Sequence, residues 1–276
     1  MTQIGESVFA DASQHDSGKR ACPFCPSTTE SFTSFPGDDN DSGKLGEIMA
    51  DPALLTARQS GCRPKDGQPR RQSRERKVPK PDPIYSHPTH GDYSSEAHHV
   101  IPGKQSMSPS RIEQWICSSK GKIKADTGYS INNAANGAWL PSIPERFRNG
   151  SWGKKDFSDK VAIAAFAMKK KGQFHKGHHN IGDPDDPAGT THKRYSKQIR
   201  AELNDLSDLI ADWSAACFEA ESGPPFQPNL KVHNMLDRLS AGIRTNIAST
   251  NPKQWRYYIS KVALQFHKDS GCNCNR

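Results

Sequence analysis

Histidines that stand close together are the first feature of this sequence that could do chemistry. Five of the eleven histidines fall into two short clusters, namely His98-His99 and the trio His175, His178 and His179. A neutral imidazole can bind a metal ion through one nitrogen, and near neutral pH it can also accept a proton from water. The spacing therefore predicts a metal site with a general base, although solvated or hydrogen-bonded histidines explain it equally well.

Short apolar runs bounded by Gly, Pro and Asn predict strands next to the first cluster. The runs cover residues 97–101 and 137–141. Neighbouring side chains of a strand point to opposite faces, so His98 and His99 diverge unless the strand ends there. Because Pro102 and Gly103 follow closely, we expect the two histidines at a strand end.

Helical periodicity marks the segment before the second cluster and the last third of the chain. One helix is predicted from Ser158, as its N-cap, to Lys171. Apolar residues spaced three and four apart predict three more helices, over residues 199–213, 232–247 and 255–266, the last opened by Asn251-Pro252. In the second cluster, a spacing of three or four residues lets two imidazoles share a cation from one side of a helical turn.

The first 90 residues are rich in Ser, Asp, Gly, Pro and Arg, and they hold one helical candidate, near residues 45–58. Such a composition buries little core, so this segment is expected to be poorly structured. Its last part, residues 63–80, carries eight Lys and Arg side chains. These predict a basic arm that follows phosphates, with a solvated linker as the alternative.

The overall charge favours an anionic partner. Lys and Arg number 38 against 30 Asp and Glu, which gives a formal net charge of +8. No stretch has the roughly 18 to 20 apolar residues of a membrane span, and the N-terminus lacks the pattern of a signal peptide. The chain is therefore expected to be made in the cytoplasm, without a membrane span.

Four of the seven cysteines form two pairs, Cys22 with Cys25 and Cys272 with Cys274. A structural Zn²⁺ held by these four thiolates would join the two ends of the chain, and free thiols are the alternative. A zinc deaminase is excluded, because its His-x-Glu motif precedes its cysteine pair, whereas Cys22 and Cys25 precede every clustered histidine. No His-Glu-x-x-His zinc-peptidase motif occurs.

Three segments in order carry a family resemblance: Ala97-His98-His99-Val100-Ile101-Pro102, Asn136-Gly137-Ala138-Trp139-Leu140-Pro141 and Gln173-Phe174-His175-Lys176-Gly177-His178. Together they resemble the AHH family of the HNH/endonuclease VII superfamily over about residues 93–206. The resemblance implies a ββα-metal (His-Me finger) nuclease. Members are bacterial toxin nucleases, often effectors of type VI secretion, which a cognate immunity protein neutralises.

The resemblance also implies roles for particular residues. His98 matches the metal ligand, His99 the general base, and Asn136 the asparagine that holds the base loop in shape. His175 and His178 match the downstream ligands, with a divalent ion, Mg²⁺ first and Zn²⁺, Mn²⁺ or Ni²⁺ as alternatives. Several neighbours compete for these positions. His179 directly follows His178 and could be the second ligand instead, and so could His192, because residues 181–191 look like an insertion. Asn132 and Asn133 compete for the asparagine.

Taken together, the sequence predicts an α+β protein with three parts: a basic segment over residues 1–90, a nuclease core over 91–206, and a helical part over 207–276 that packs on the core. The expected activity is metal-dependent hydrolysis of DNA with little sequence preference. RNA hydrolysis and a noncatalytic, zinc-stabilised nucleic-acid-binding protein are the alternatives. Expected partners are an immunity protein and a secretion apparatus or chaperone that delivers the chain into target cells without a signal peptide.

Overall fold

The computed structural model describes residues 34–52, 54–55, 77–120, 123, 127–175, 190–216 and 231–271. Within these ranges the chain mixes α-helices with a small sheet, which confirms an α+β protein. The helices are α1 (Ser42–Ala50), α2 (Phe157–Lys171), α3 (Thr190–Ala216), α4 (Lys231–Ile247) and α5 (Lys261–Asp269); the strands are β1 (Ile84–His87), β2 (Gly91–His99) and β3 (Gly137–Pro144). None of these helices has the length and apolar character that crossing a membrane requires.

The chain divides into two compact units whose segments alternate along the sequence. Unit 1 comprises Met1–Val78, His99–Asn136 and Ile199–Gly242, and unit 2 comprises Pro79–His98, Gly137–Gln198 and Ile243–Arg276. The predicted boundaries after residues 90 and 206 stay predictions.

In unit 1, helix α1 lies within the first 90 residues and overlaps the helix predicted near residues 45–58. Asp41 caps the helix, since its carboxylate accepts hydrogen bonds from the backbone N–H groups of residues 43 and 44. Leu45, Ile48 and Met49 are buried along one face. These three apolar residues pack residues 42–50 into the unit, although the first 90 residues are polar on average.

Two predicted helices of the last third are confirmed with their apolar faces inward. In α3 the predicted stripe is buried from Ile199 to Trp213, and in α4 it is buried from Val232 to Ile247. Helix α3 begins at Thr190, nine residues before the predicted stripe. The stripes are core positions, as predicted.

The sheet of unit 2 has the strand order β1-β2-β3. Strands β1 and β2 pair antiparallel, with Ile84 opposite Tyr93 and His87 opposite Gly91. Both predicted strands exist, and β2 begins six residues earlier than predicted. Helix α2 packs on this sheet, where the hydroxyl of Tyr93 donates to the carbonyl of Ile163 at 2.7 Å.

Two helix starts in unit 2 differ from their predictions. The N-cap of α2 is Asp156, and Ser158 lies inside the helix. The helix predicted over residues 255–266 begins only at Lys261, where the side chain of Ser260 accepts a hydrogen bond from the N–H of Ala263 at 3.1 Å.

Side chains from elsewhere in unit 2 prevent the earlier start of α5. Asn246 accepts hydrogen bonds from the N–H groups of Arg256 and Tyr257, at 2.9 and 3.2 Å. Gln173 accepts one from the N–H of Ile259 at 3.0 Å. Because amide oxygens of these side chains accept hydrogen bonds from the backbone N–H groups, the segment between Trp255 and Ile259 satisfies these donors without forming a helix.

Candidate active site

Strand β2 ends at the two adjacent histidines, as the sequence predicts. His98 belongs to unit 2 and His99 to unit 1. Both imidazoles are buried. A buried imidazole needs defined partners, and these partners indicate what each ring can do.

In unit 1, the ring of His99 is held by Asn132. Its Nε2 lies 2.8 Å from Oδ1 of Asn132. The amide nitrogen of Asn132 in turn donates to the backbone carbonyl of Asp39 at 2.7 Å and to its carboxylate at 3.1 Å. Asp39, Asn132 and His99 therefore form a chain of hydrogen bonds that ends at the imidazole.

This chain sets the tautomer of His99. Because Asp39 offers only acceptors to the amide nitrogen of Asn132, the Oδ1 atom of Asn132 must be the group that faces the ring. An oxygen there requires that Nε2 of His99 carries the hydrogen. The basic nitrogen of the neutral ring is then Nδ1, and a ring fixed in this way is suited to act as a general base.

Asn136, also in unit 1, holds the backbone that follows the histidines. Its Oδ1 accepts from the N–H of Ile101 at 2.8 Å and from the hydroxyl of Ser240 at 3.1 Å. Its Nδ2 donates to the carbonyls of Ile101 at 3.1 Å and Ile131 at 2.9 Å. Both lone pairs and both hydrogens of the amide are used, so Asn136 is a positioning residue for this loop rather than a group that touches substrate.

In unit 2, His98 lies against His175. The ring centroids are 4.9 Å apart and the ring planes are inclined by 68°. The backbone N–H of His175 donates to the carbonyl of Pro141 at 2.6 Å, which fixes the end of this segment beside β3. Residues 77 positions apart in the sequence are thus brought together, as the predicted metal site requires.

Glu96 is a third member of this cluster, and no role for it is predicted from the sequence. Its carboxylate lies 3.2 Å from Nδ1 of His175. Burial by itself would raise the pKa of Glu96, but the hydrogen bond from His175, the charges of His175 and Arg148 and the nearby hydroxyl of Ser142 together lower the pKa below its usual value. The carboxylate is therefore ionised near neutral pH. One signal was visible: Glu96 and His98, two residues apart on a strand, share a face.

The ring of Tyr195 in α3 also lies near His98, with the ring centroids 5.8 Å apart. Burial raises the pKa of Tyr195 well above its usual value, and the neighbouring Tyr257 adds to the effect. The phenol therefore stays neutral over the working pH range. Tyr195 therefore packs near His98 as an uncharged aromatic ring.

The donors of this cluster are of the kind that bind metal ions. His98 and His175 present two adjacent imidazoles, and a carboxylate bound to the far nitrogen of a ligating histidine is a usual arrangement in metal sites. Imidazole ligands suit Zn²⁺, Ni²⁺ and related ions, whereas Mg²⁺ prefers oxygen ligands. In the part of the chain that the structure describes, no group of three or more His, Cys, Asp or Glu side chains is arranged to hold a metal.

The other predicted ligands lie outside the described residues: His178, His179, the side chain of His192, and the zinc candidates Cys22, Cys25, Cys272 and Cys274. The predicted structural zinc therefore stays a prediction. Among the described residues, Cys117 is buried.

Comparison with known proteins points to one family. The family model named AHH, described as a nuclease family of the HNH/ENDO VII superfamily with conserved AHH, matches residues 84–216, a little under half of the chain. The chain matches no protein of curated function and no solved structure. The matched region contains β1 to β3, Glu96, both histidines of β2, and His175. Residues 84–216 are thus similar to a nuclease family, and the AHH motif of that family stands here as Ala97-His98-His99.

Proposed function

We propose that this protein is a metal-dependent endonuclease that hydrolyses phosphodiester bonds in DNA through a ββα-metal core. The hydrogen bond between Nε2 of His99 and Asn132 carries the proposal. It leaves Nδ1 as the basic atom of an imidazole that cannot rotate freely. The family match over residues 84–216 and the pairing of His98 with His175 support the same reaction.

His99 acts as the general base in this proposal. Its Nδ1 takes a proton from a water molecule, whose oxygen attacks the phosphorus while the bond from phosphorus to the leaving sugar oxygen breaks. Asn132 keeps the ring oriented, and Asn136 holds the following loop. A divalent ion held by His98 and His175, with a third ligand from His178 or His179, would stabilise the charge that develops on the phosphate and leaving oxygen.

DNA is the proposed substrate because the net charge of +8 favours a polyanion and the sequence shows no module for reading bases. RNA has the same phosphodiester and is the second candidate. The discriminating measurement is cleavage of plasmid DNA and of an RNA of similar length by the same preparation.

The decisive test compares wild-type protein with His99→Ala on plasmid DNA, in Zn²⁺, Ni²⁺, Mn²⁺ or Mg²⁺ and in EDTA. Wild type is expected to nick and linearise the plasmid with metal alone, and His99→Ala to lose at least about a hundredfold in rate. His267→Ala is a matched control, since His267 is equally buried and bonds to the carbonyl of Pro252. Intact plasmid with wild type in every metal, or equal cutting by His99→Ala, would contradict the proposal.

We further propose that the nuclease serves as an antibacterial toxin that is delivered into target cells and neutralised by an immunity protein. The support is the similarity to the AHH family alone. Expression inside a bacterial host should arrest growth and fragment the chromosome for wild type but not for His99→Ala. Normal growth with soluble wild-type protein in the cytoplasm would contradict this role and leave the proposed chemistry intact.

A further inference from the structure

A cleft in unit 2 beside Glu96 belongs to none of the roles assigned above. It has a volume of about 470 Å³, and its walls come from the start of the unit, from β2, from the end of β3 and from the segment after β3. It is lined by Lys80, Ser95, Glu96, Ile143, Phe147, Arg148, Gly150 and Trp152. Two cations and one carboxylate give the lining a net positive charge at neutral pH.

Both cations are held at this cleft while their charged ends stay accessible. Lys80 is exposed, and its Nζ lies over the ring of Trp139, 5.9 Å from the centroid. Arg148 is exposed and donates a hydrogen bond to the hydroxyl of Ser94. Since a guanidinium has five N–H donors, one bond to a serine leaves most of them for an anionic ligand.

The aromatic part of the lining is buried. Trp152 is buried, and its indole N–H has no hydrogen-bond partner among the described residues. Phe147 and Trp152 are too deeply buried to present a ring face for stacking a base. The chemistry of the lining therefore suits a phosphate group rather than a nucleobase.

We propose that this cleft binds a backbone phosphate of the nucleic-acid strand next to the phosphate that is cut. The proposal rests on the proposed function for the identity of the strand. The cleft adjoins the metal-binding candidates through Glu96, which lines it and is bonded to His175. A phosphate held by Lys80 and Arg148 would place the strand along β2 and set which bond reaches His98.

The test measures binding alone, on full-length protein carrying His99→Ala, in EDTA, with a short fluorescein-labelled DNA strand followed by anisotropy over a series of salt concentrations. Lys80→Ala and Arg148→Ala should each weaken binding roughly two- to fivefold. Each should also lower the slope of log affinity against log salt by about 0.7, because one phosphate fewer is neutralised. Lys154→Ala, which removes an exposed cation outside the lining, should change neither quantity.

A variant that is expected to tighten binding distinguishes a change at the cleft from a loss caused by unfolding. Glu96→Gln removes the negative charge from the cleft, so it should tighten binding of the strand. An RNA strand should respond to Lys80→Ala and Arg148→Ala as DNA does, because the phosphodiester is common to both. Wild-type affinity and salt slope in Lys80→Ala and Arg148→Ala, an equal loss in Lys154→Ala, or an effect confined to one type of sugar would overturn the inference. Plasmid cleavage by wild type tests the proposed function separately.

Discussion

Glu96 and His175 lie 79 positions apart in the sequence, and the carboxylate of Glu96 is 3.2 Å from Nδ1 of the His175 ring, within ion-pair distance. Because Nδ1 is occupied by this contact, Nε2 is the nitrogen of His175 that can bind a metal ion. His98 lies against the same ring. The carboxylate thus decides both the orientation and the basicity of one of the two proposed ligands.

Replacing Glu96 by Gln is expected to weaken metal binding and cleavage by roughly ten- to a hundredfold, as the loss of such a partner does in other metal sites. Isothermal titration with Zn²⁺ or Ni²⁺ reports the affinity directly. Asp92→Asn is the matched control, since Asp92 is an exposed carboxylate of the same strand. Unchanged metal affinity in Glu96→Gln would show that the carboxylate does not act through a metal ligand.

The pH dependence of stability should also report on Glu96. Its pKa in the folded protein lies below the usual value for a glutamate, because the hydrogen bond from His175 and the charges of its neighbours outweigh burial. The carboxylate therefore contributes fully to stability at a pH above its pKa in the unfolded chain. This contribution is lost as the pH falls through its pKa in the folded protein. Urea unfolding should show a constant difference between wild type and Glu96→Gln at neutral pH and none in strong acid. A difference that grows in acid would contradict this assignment.

The sequence alone was sufficient to identify the histidine clusters, because residue type shows which side chains can bind a metal ion or accept a proton. It also placed His98 and His99 at the end of a strand. Periodicity was sufficient for α3 and α4, where an apolar stripe fits a single buried face. These features are local, so a short window of the chain contains them completely.

The partners of the histidines could not be found in this way, because each contact joins distant segments. Asn132 lies 33 positions from His99, and Asp39 lies 93 positions from Asn132. The start of α5 was mispredicted for the same reason. Asn246 and Gln173 bind the backbone N–H groups that a helix would otherwise use, and no local pattern records those contacts.

Asn132→Ala should impair the base without removing it. Without Oδ1 at Nε2, His99 loses its preferred tautomer and orientation, so kcat should fall roughly ten- to a hundredfold with little change in KM. Nitrogen chemical shifts of His99 provide the direct measurement. Wild type should show a protonated Nε2 and an unprotonated Nδ1, whereas Asn132→Ala should show a mixture of the two tautomers. Asn246→Ala, which removes a buried amide of unit 2 that accepts hydrogen bonds from the N–H groups of Arg256 and Tyr257, is the control. A protonated Nδ1 in wild type would contradict the proposed base.

Asn136→Ala should act on stability first. The substitution leaves the N–H and C=O of Ile101 and the carbonyl of Ile131 buried without the amide, and each unmet group costs about 1 to 3 kcal/mol. We expect a loss of roughly 3 kcal/mol or more in the free energy of unfolding, measured with urea. Asn136→Asp keeps the acceptor and loses both donors, so its loss should be large as well. A stable Asn136→Ala protein would show that the loop is held by other contacts.

Gly172 ends α2 three residues before His175, and two properties of this position exclude a side chain. Its φ is +91°, and a Cβ would lie 2.7 Å from the backbone of Ala248. Gly172→Ala should therefore cost roughly 2 to 4 kcal/mol, because backbone strain adds to a clash that no rotamer can relieve. The same shift should displace His175 and weaken metal binding.

Gly150→Ala separates the two contributions to the cost at Gly172. Gly150 has a nearly equal φ of +89°, but a Cβ there meets nothing within 4 Å. Its substitution should therefore cost about 1 kcal/mol, from backbone strain alone, and should leave metal affinity unchanged. Both variants can be measured by thermal and urea unfolding beside a Zn²⁺ titration. Equal losses at the two glycines would mean that the chain near Ala248 moves aside without cost, and His175 would then not depend on this contact.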